Sequence, residues 1–156
     1  MIIIEASGWG RREIEHVVLD YNGTLATDGL LEEGVDQRLQ KLSIRARIHI
    51  CSADFYGTVA DQTRHFQTAL KILKGPSQSQ EKVEFVRRLG PLKTAAVGAG
   101  RNDAQMVKEA ALGIAIIGRE GASTQTIEGA DVVCVDILDA LDLLLSPKRL
   151  AATLQR

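Results

Sequence analysis

The stretch Thr94-Ala95-Ala96-Val97-Gly98-Ala99-Gly100-Arg101-Asn102-Asp103-Ala104-Gln105-Met106-Val107-Lys108-Glu109-Ala110-Ala111-Leu112-Gly113-Ile114-Ala115-Ile116-Ile117 decides the fold. It reads as a strand over Thr94–Val97, a glycine-bearing turn, a helix over Ala104–Ala111 and a second strand over Ile114–Ile117. A strand, a crossover helix and another short apolar run form a βαβ unit, which demands a parallel sheet. The pattern extends downstream through a short helix at Thr124–Glu128, a strand at Val132–Val135 and a helix at Ile137–Leu145 that Pro147 stops. Upstream, Val83, Val86 and Leu89 share one face of a helix over Ser77–Leu89, which Gly90-Pro91 ends. Before it come a strand at Ala69–Leu73, a helix at Thr58–Thr68, a strand at Ile48–Cys51 and a helix at Val35–Leu42. A polar, glycine-containing loop follows Asp20, and Ile2–Glu5 with Ile14–Leu19 around Gly8-Trp9-Gly10 reads as an N-terminal β-hairpin. The expectation is an α/β protein in three layers (αβα), with helices on both faces of a mostly parallel sheet and one domain over residues 1–156.

Composition narrows the function. The 156 residues carry 19 Lys+Arg against 20 Asp+Glu, a formal charge of −1, so no electrostatic field exists for nucleic acid or an anionic membrane. Three Phe, two Tyr and one Trp provide little for base stacking. No apolar run approaches the length that spans a bilayer. Met1-Ile2-Ile3-Ile4 meets Glu5 at once with no basic segment ahead of it, so the expectation is a cytoplasmic protein without a secretory signal. Cys51 and Cys134 lie singly in strand-like runs and read as buried, reduced thiols. His16, His49 and His65 lack metal-ligand spacing. Arg11-Arg12 reads as a solvated hairpin turn, and the segment from Lys148 to Arg156 as a packed or frayed end.

Ligands of such folds sit beyond the carboxyl ends of the strands, near the point where strand order reverses. Three segments fall there. Asp20-Tyr21-Asn22-Gly23-Thr24 follows Val17-Val18-Leu19 and places a carboxylate on a loop at a strand tip; alone it is equally an Asx turn. Ser52-Ala53-Asp54 offers a hydroxyl and amides to a phosphoryl oxygen, or simply a helix N-cap. Gly98-Ala99-Gly100-Arg101-Asn102-Asp103 offers amides, an amide side chain and a carboxylate at a helix start. Lys82, in the first turns of its helix, is either a fixed positive charge or a solvated lysine.

These four elements, in this order, resemble the haloacid dehalogenase-like (HAD) phosphohydrolases, and within them the catalytic core of P-type ATPases and the soluble proteins similar to that core. The resemblance runs from about Val17 to Leu145 and is strongest in Lys82-Val83-Glu84-Phe85-Val86-Arg87-Arg88-Leu89, Ala96–Ala104, Leu112-Gly113-Ile114-Ala115-Ile116 and Ala130-Asp131-Val132-Val133. It implies phosphoryl transfer through an aspartyl-phosphate on Asp20. Asp20, Asn22, Ser52 and Lys82 would be the catalytic residues, and Tyr21, Asn22, Ser52, Ala53, Lys82 and Asn102 would hold the phosphoryl group. Asp20, the Asn22 carbonyl and Asp103 would hold Mg²⁺.

Two positions depart from that family. Asn22 stands where its phosphatases carry a second Asp, and an amide has no proton to exchange at neutral pH, so general acid–base work worth roughly 10²–10⁴-fold is missing. P-type ATPases also lack an acid there, having Thr. Ala99 stands where the family places a metal-binding Asp, and Asp103 is the nearest remaining carboxylate. The expectations are a slow or specialised Mg²⁺-dependent phosphohydrolase, or a non-catalytic phosphate-binding or regulatory protein on the same scaffold; a response-regulator receiver is a third reading. Thr24–Ile48 and Asp54–Lys82 leave no room for a cap domain, so the crevice would be open to a phosphorylated small molecule or a phosphoprotein, or covered by a neighbouring subunit of a homo-oligomer such as a tetramer. Arg101, inside the phosphate loop, is a candidate substrate contact.

Overall fold

The computed structural model describes residues 1–156. Its elements run β1 (Ile2–Ala6), β2 (Gly10–Ile14), β3 (His16–Leu19), β4 (Ala26–Thr27), β5 (Leu30–Leu31), α1 (Val35–Ser43), β6 (Arg47–Ser52), α2 (Val59–Thr63), β7 (Thr68–Ile72) and α3 (Gln78–Leu89). After a 3₁₀ turn at Pro91–Lys93 come β8 (Thr94–Gly98), a second 3₁₀ turn at Arg101–Asp103, α4 (Ala104–Glu109), β9 (Leu112–Ile116), α5 (Thr124–Gly129), β10 (Val132–Cys134), α6 (Ile137–Leu145) and α7 (Pro147–Leu154).

Six strands form the central sheet in the order β10-β9-β8-β3-β6-β7. Every neighbouring pair is parallel, with Val17 opposite both Ile48 and Ala95. Strands covered on both faces must be apolar nearly throughout, and all five residues of β8 and of β9 are buried. Helices α1 and α6 pack together on one face over Val17, Leu19, Ile48, Ile50, Ala95 and Val97. Helices α3, α4 and α5 cover the other, with Val86 of α3 and Met106 of α4 packed among Val18, Cys51 and Ala96. The three layers expected from the sequence are therefore present.

Local chemistry sets the helix that carries Lys82. The Ser77 hydroxyl caps α3 by accepting the Gln80 amide at 3.4 Å, Glu81 lies in its first turn, and Arg87 and Arg88 lie in its last. Gly90, at φ 97°, ends it in a conformation that side chains disfavour.

Several sequence expectations are corrected. The run Ile14–Leu19 is two elements: the hairpin strand β2 ends at Ile14, opposite Ile2, and β3 restarts at His16 in the central sheet. Glu15 is the hinge, its amide held by the Lys93 carbonyl at 2.9 Å and its carbonyl taken by the Arg47 amide at 2.9 Å. Arg11 and Arg12 consequently lie within β2, and the hairpin turn is formed by Ser7-Gly8-Trp9. The helix expected over Thr58–Thr68 stops at Thr63, because Thr68 already pairs with Ile48 in the sheet. The loop after Asp20 holds a small antiparallel flap, β4–β5. Pro147 both ends α6 and starts α7, which packs on β1 and buries Leu150. Cys51 and Cys134 are buried and unpaired, as expected.

Between β3 and β6 the chain holds only the flap and α1, and between β6 and α3 only α2 and β7. No inserted cap domain is present.

Candidate active site

The chain leaves β3 toward β6 and leaves β8 toward β9, on opposite sides, so strand order reverses between β3 and β8. Asp20 follows β3 and the loop Ala99–Asp103 follows β8, placing both at that crevice.

The centre of the site is the ammonium of Lys82, which is 1% exposed. Its Nζ donates to Asp20 Oδ1 at 2.7 Å, Asp103 Oδ1 at 2.6 Å and Asn102 Oδ1 at 3.1 Å. All three of its protons are thereby used. Burial alone would lower the Lys82 pKa; the charges of Asp20 and Asp103 and their hydrogen bonds outweigh it, and the net shift is upward, so the amine is a fixed cation.

Asp20, 6% exposed, accepts the Thr24 hydroxyl on Oδ2 at 3.1 Å, so both of its oxygens are oriented. Asp103 is completely buried, and its Oδ2 accepts the amides of Ala99 and Gly100 at 3.0 Å each. Burial first, and the negative charge of Asp20 second, push its carboxyl up to about 7, against the pull of Lys82 and of the Ala99 amide. With one oxygen on Lys82 and the other on two amides, Asp103 anchors the lysine and shapes its own loop. Gly98 has to be glycine for this, since a Cβ there would stand 2.5 Å from Asp103 Cβ and Cγ.

Ser52 is 2% exposed at the end of β6, beside β3, and its Oγ accepts the Asp54 amide at 3.0 Å. Asp54 then caps α2, accepting the amides of Thr58 and Val59 at 2.9 and 3.1 Å. Ala53 follows in the same turn. The Tyr21 side chain turns away from the crevice: it is buried, and its hydroxyl donates to the Gly29 carbonyl of the flap at 3.1 Å.

Several supporting residues carried no signal in the sequence. The Ser123 amide donates to the Ala99 carbonyl at 2.8 Å, and the Thr126 hydroxyl to the Gly100 carbonyl at 2.7 Å, so the start of α5 braces the loop after β8. Asn102 Nδ2 donates to Gln78 Oε1 at 2.7 Å, which turns its carbonyl toward Lys82. The turn Gly118–Gly121 leans on Gly23, bringing a Glu120 carboxylate oxygen to 3.1 Å from where a Gly23 Cβ would stand.

The fit to a divalent ion rests on oxygens. No three His, Cys, Asp or Glu side chains cluster to form a complete metal site. Asp20 carries a nearly buried carboxylate, and the neighbouring Asn22 Oδ1 is buried with no hydrogen-bond partner. One carboxylate with carbonyl oxygens suits Mg²⁺, which ordinarily retains waters and takes further ligands from a substrate phosphate. The Ala99 methyl, 3% exposed, contributes nothing to it.

The fold is shared with solved phosphatases of the haloacid dehalogenase-like superfamily. A phosphatase for 3-deoxy-D-manno-octulosonate 8-phosphate from Moraxella catarrhalis, solved with magnesium, phosphate and its sugar, superposes with a TM-score of 0.72 at 16% identity over 89% of this chain and 90% of that one. A HAD superfamily hydrolase of subfamily III A from Legionella pneumophila gives 0.71 at 16% identity over 90% and 87%. No protein-family model matches the chain. By sequence, the chain belongs to one family with the uncharacterized protein MJ0072 of Methanocaldococcus jannaschii, with 58% identity over 38 residues, which is 24% of this chain and 86% of that protein. The uncharacterized protein MJ0073 of the same organism is 54% identical over 61 residues, 39% of this chain and 66% of its own length. The human probable phospholipid-transporting ATPase IM is 29% identical over 108 residues, which is 68% of this chain and 9% of that protein. The P-type ATPase likeness read from the sequence thus has a counterpart.

Proposed function

We propose that the chain is a Mg²⁺-dependent phosphohydrolase that works through an aspartyl-phosphate on Asp20. The observation that carries this reading is the buried Lys82 ammonium, held by Asp20, Asp103 and Asn102 at the reversal of strand order. A buried lysine with three anchored acceptors has no structural need to be charged in a core; it suits a site where more negative charge arrives.

In the first step, an oxygen of Asp20 attacks phosphorus in line, the bond to the leaving oxygen breaks, and the phosphoryl group passes to Asp20. The Thr24 hydroxyl and Lys82 hold the carboxylate in one orientation, and Lys82 offsets charge on the phosphoryl oxygens. The Ser52 hydroxyl and the amides of Tyr21 and Ala53 bind those oxygens. Bound Mg²⁺, held by Asp20 and the oxygens of Asn22 with Asp103 behind them, would supply charge neutralisation. In the second step water attacks phosphorus, the bond to Asp20 breaks, and phosphate and a proton are released. Asn22 orients but exchanges no proton, so leaving groups that depart as stable anions, such as the carboxylate of an acyl phosphate, are favoured. Lacking a cap, the crevice admits a phosphorylated small molecule or a phosphoprotein.

A regulatory, non-catalytic reading draws on the same two departures, Asn22 and Ala99. A panel of phosphomonoesters and acyl phosphates, with and without Mg²⁺, separates the two. The expected result is Mg²⁺-dependent phosphate release that disappears in Asp20→Asn. Activity surviving Asp20→Asn overturns the mechanism; beryllofluoride binding without any turnover transfers the weight to the regulatory reading.

A further inference from the structure

A groove of about 690 Å³ lies between the starts of α3 and α4 and reaches the site at Asn102. Its walls include Ser77, Gln78, Arg101, Asn102, Gln105 and Gln125; it contains no carboxylate, and Pro76 is its one apolar lining residue besides the small Ala104. Asn102 is the wall it shares with the site, since its Oδ1 faces Lys82 while its Nδ2 faces Gln78. Arg101, the groove's single cation, enters none of the chain's ion pairs.

The flap side, where Tyr56 packs against Gly29, has the reverse chemistry. There Leu30 on the flap is 61% exposed and Phe55 84%, the latter edge-on to Tyr56 at 5.1 Å. A leaving group therefore meets either an aromatic rim or a polar groove with one uncommitted guanidinium. The groove is continuous with the residue that orients Lys82, whereas the aromatic pair shares no hydrogen bond with Asp20, Lys82 or Asp103.

We propose that this groove is the leaving-group subsite and that it selects phosphorylated compounds carrying a second anionic group on a hydroxylated scaffold. The inference rests on the phosphohydrolase reading above and deepens it. Arg101 supplies a planar pair of donors for a carboxylate or a second phosphate. The amide side chains of Gln78, Gln105 and Gln125 each carry both a donor and an acceptor, the chemistry that hydroxyl groups match. Nothing acidic in the lining repels the anion, and no large apolar surface rewards an aromatic group.

The test compares two esters that differ in one carboxylate, 3-phosphoglycerate and glycerol 3-phosphate. Wild-type protein is expected to favour the first in kcat/KM, and Arg101→Gln to reduce that ratio about 10- to 100-fold, the loss of one charge-assisted pair. Calorimetric titration of both esters into Asp20→Asn reads the same preference without turnover. If neither ester, nor any other phosphomonoester or acyl phosphate, is hydrolysed, the phosphohydrolase reading falls, while a binding preference lost in Arg101→Gln still upholds the subsite. Equal kcat/KM and equal affinity for the two esters, or a ratio that Arg101→Gln leaves untouched, overturns it.

Discussion

Lys82 is the residue on which the site turns, and its burial makes its removal expensive. Lys82→Met keeps the apolar stem but leaves Asp20 and Asp103 facing each other without a counter-charge. The expected loss is about 3–5 kcal/mol in urea denaturation, the usual cost of breaking a buried pair from one side. The double variant Lys82→Met with Asp103→Asn should recover part of that stability and none of the activity. Asn22 argues the other way. Asn22→Asp places a titratable carboxyl where the orphaned amide oxygen now sits, and turnover of a poor leaving group is expected to rise by about 10²-fold or more. The gain should appear as a new limb in the pH–rate profile; a variant whose profile keeps the wild-type shape excludes acid–base work at this position. The sequence made Asp20, Ser52, Lys82 and Asp103 legible because strand ends and a resemblance pointed to them. It could not show that Tyr21 faces the flap, or that Gln78 aims Asn102, because both depend on side-chain directions set by packing across the chain.

At the level of elements, the turn from β8 into α4 holds the site together. Its geometry depends on Gly98, over which the Asp103 carboxylate lies. Gly98→Ala puts a methyl into that carboxylate, so Asp103 must leave the amides of Ala99 and Gly100 and its place on Lys82. The expected outcome is a stability loss of about 1–3 kcal/mol, typical of overpacking, with loss of activity far beyond what that destabilisation explains. Wild-type activity in a folded Gly98→Ala protein would show that the turn tolerates a shift. Elements were read from the sequence with uneven success for a physical reason. Buried parallel strands are continuous apolar runs, so β8, β9 and β10 were plain, and α3 carried its own cap and stop. The run Ile14–Leu19 gave no sign of its break, because Glu15 is held there by partners distant in sequence, its backbone by Lys93 and Arg47 and its carboxylate by the Lys93 ammonium. The two-residue strands of the flap are too short to show a period of two.

At the scale of the whole molecule, the end of the sheet opposite the active site sets how the fold answers to acid. His49 is 8% exposed on β6, its Nε2 3.1 Å from His16 Nδ1 and its ring edge-on to Phe85 of α3 at 5.4 Å. Its Nδ1 is buried without a partner. Burial first, then the charges of His16 and Arg47, lower its pKa from 6.5 to about 4. His16 is lowered as well, by burial and by Arg47 and Lys93, with Glu15 pulling the other way. An unfolded chain binds a proton at His49 below about pH 6.5, while the folded chain refuses it until about pH 4. Stability from this residue is therefore complete above pH 6.5, declines as the pH falls, and is gone below about 4. The decline amounts to about 2–3 kcal/mol at this residue. Urea denaturation across that interval should show it, and His49→Gln should flatten the curve because the amide does not titrate. Carboxylates such as Asp142, whose pKa the Arg38 pair lowers, act at lower pH and remain in the variant. A His49→Gln protein with the wild-type slope between pH 6.5 and 4 would move the origin of acid sensitivity elsewhere. Because the histidine pair ties β3 to β6 beneath the site, the same titration should appear as a fall in the cooperative unfolding midpoint of the whole chain, with no separate transition at the crevice.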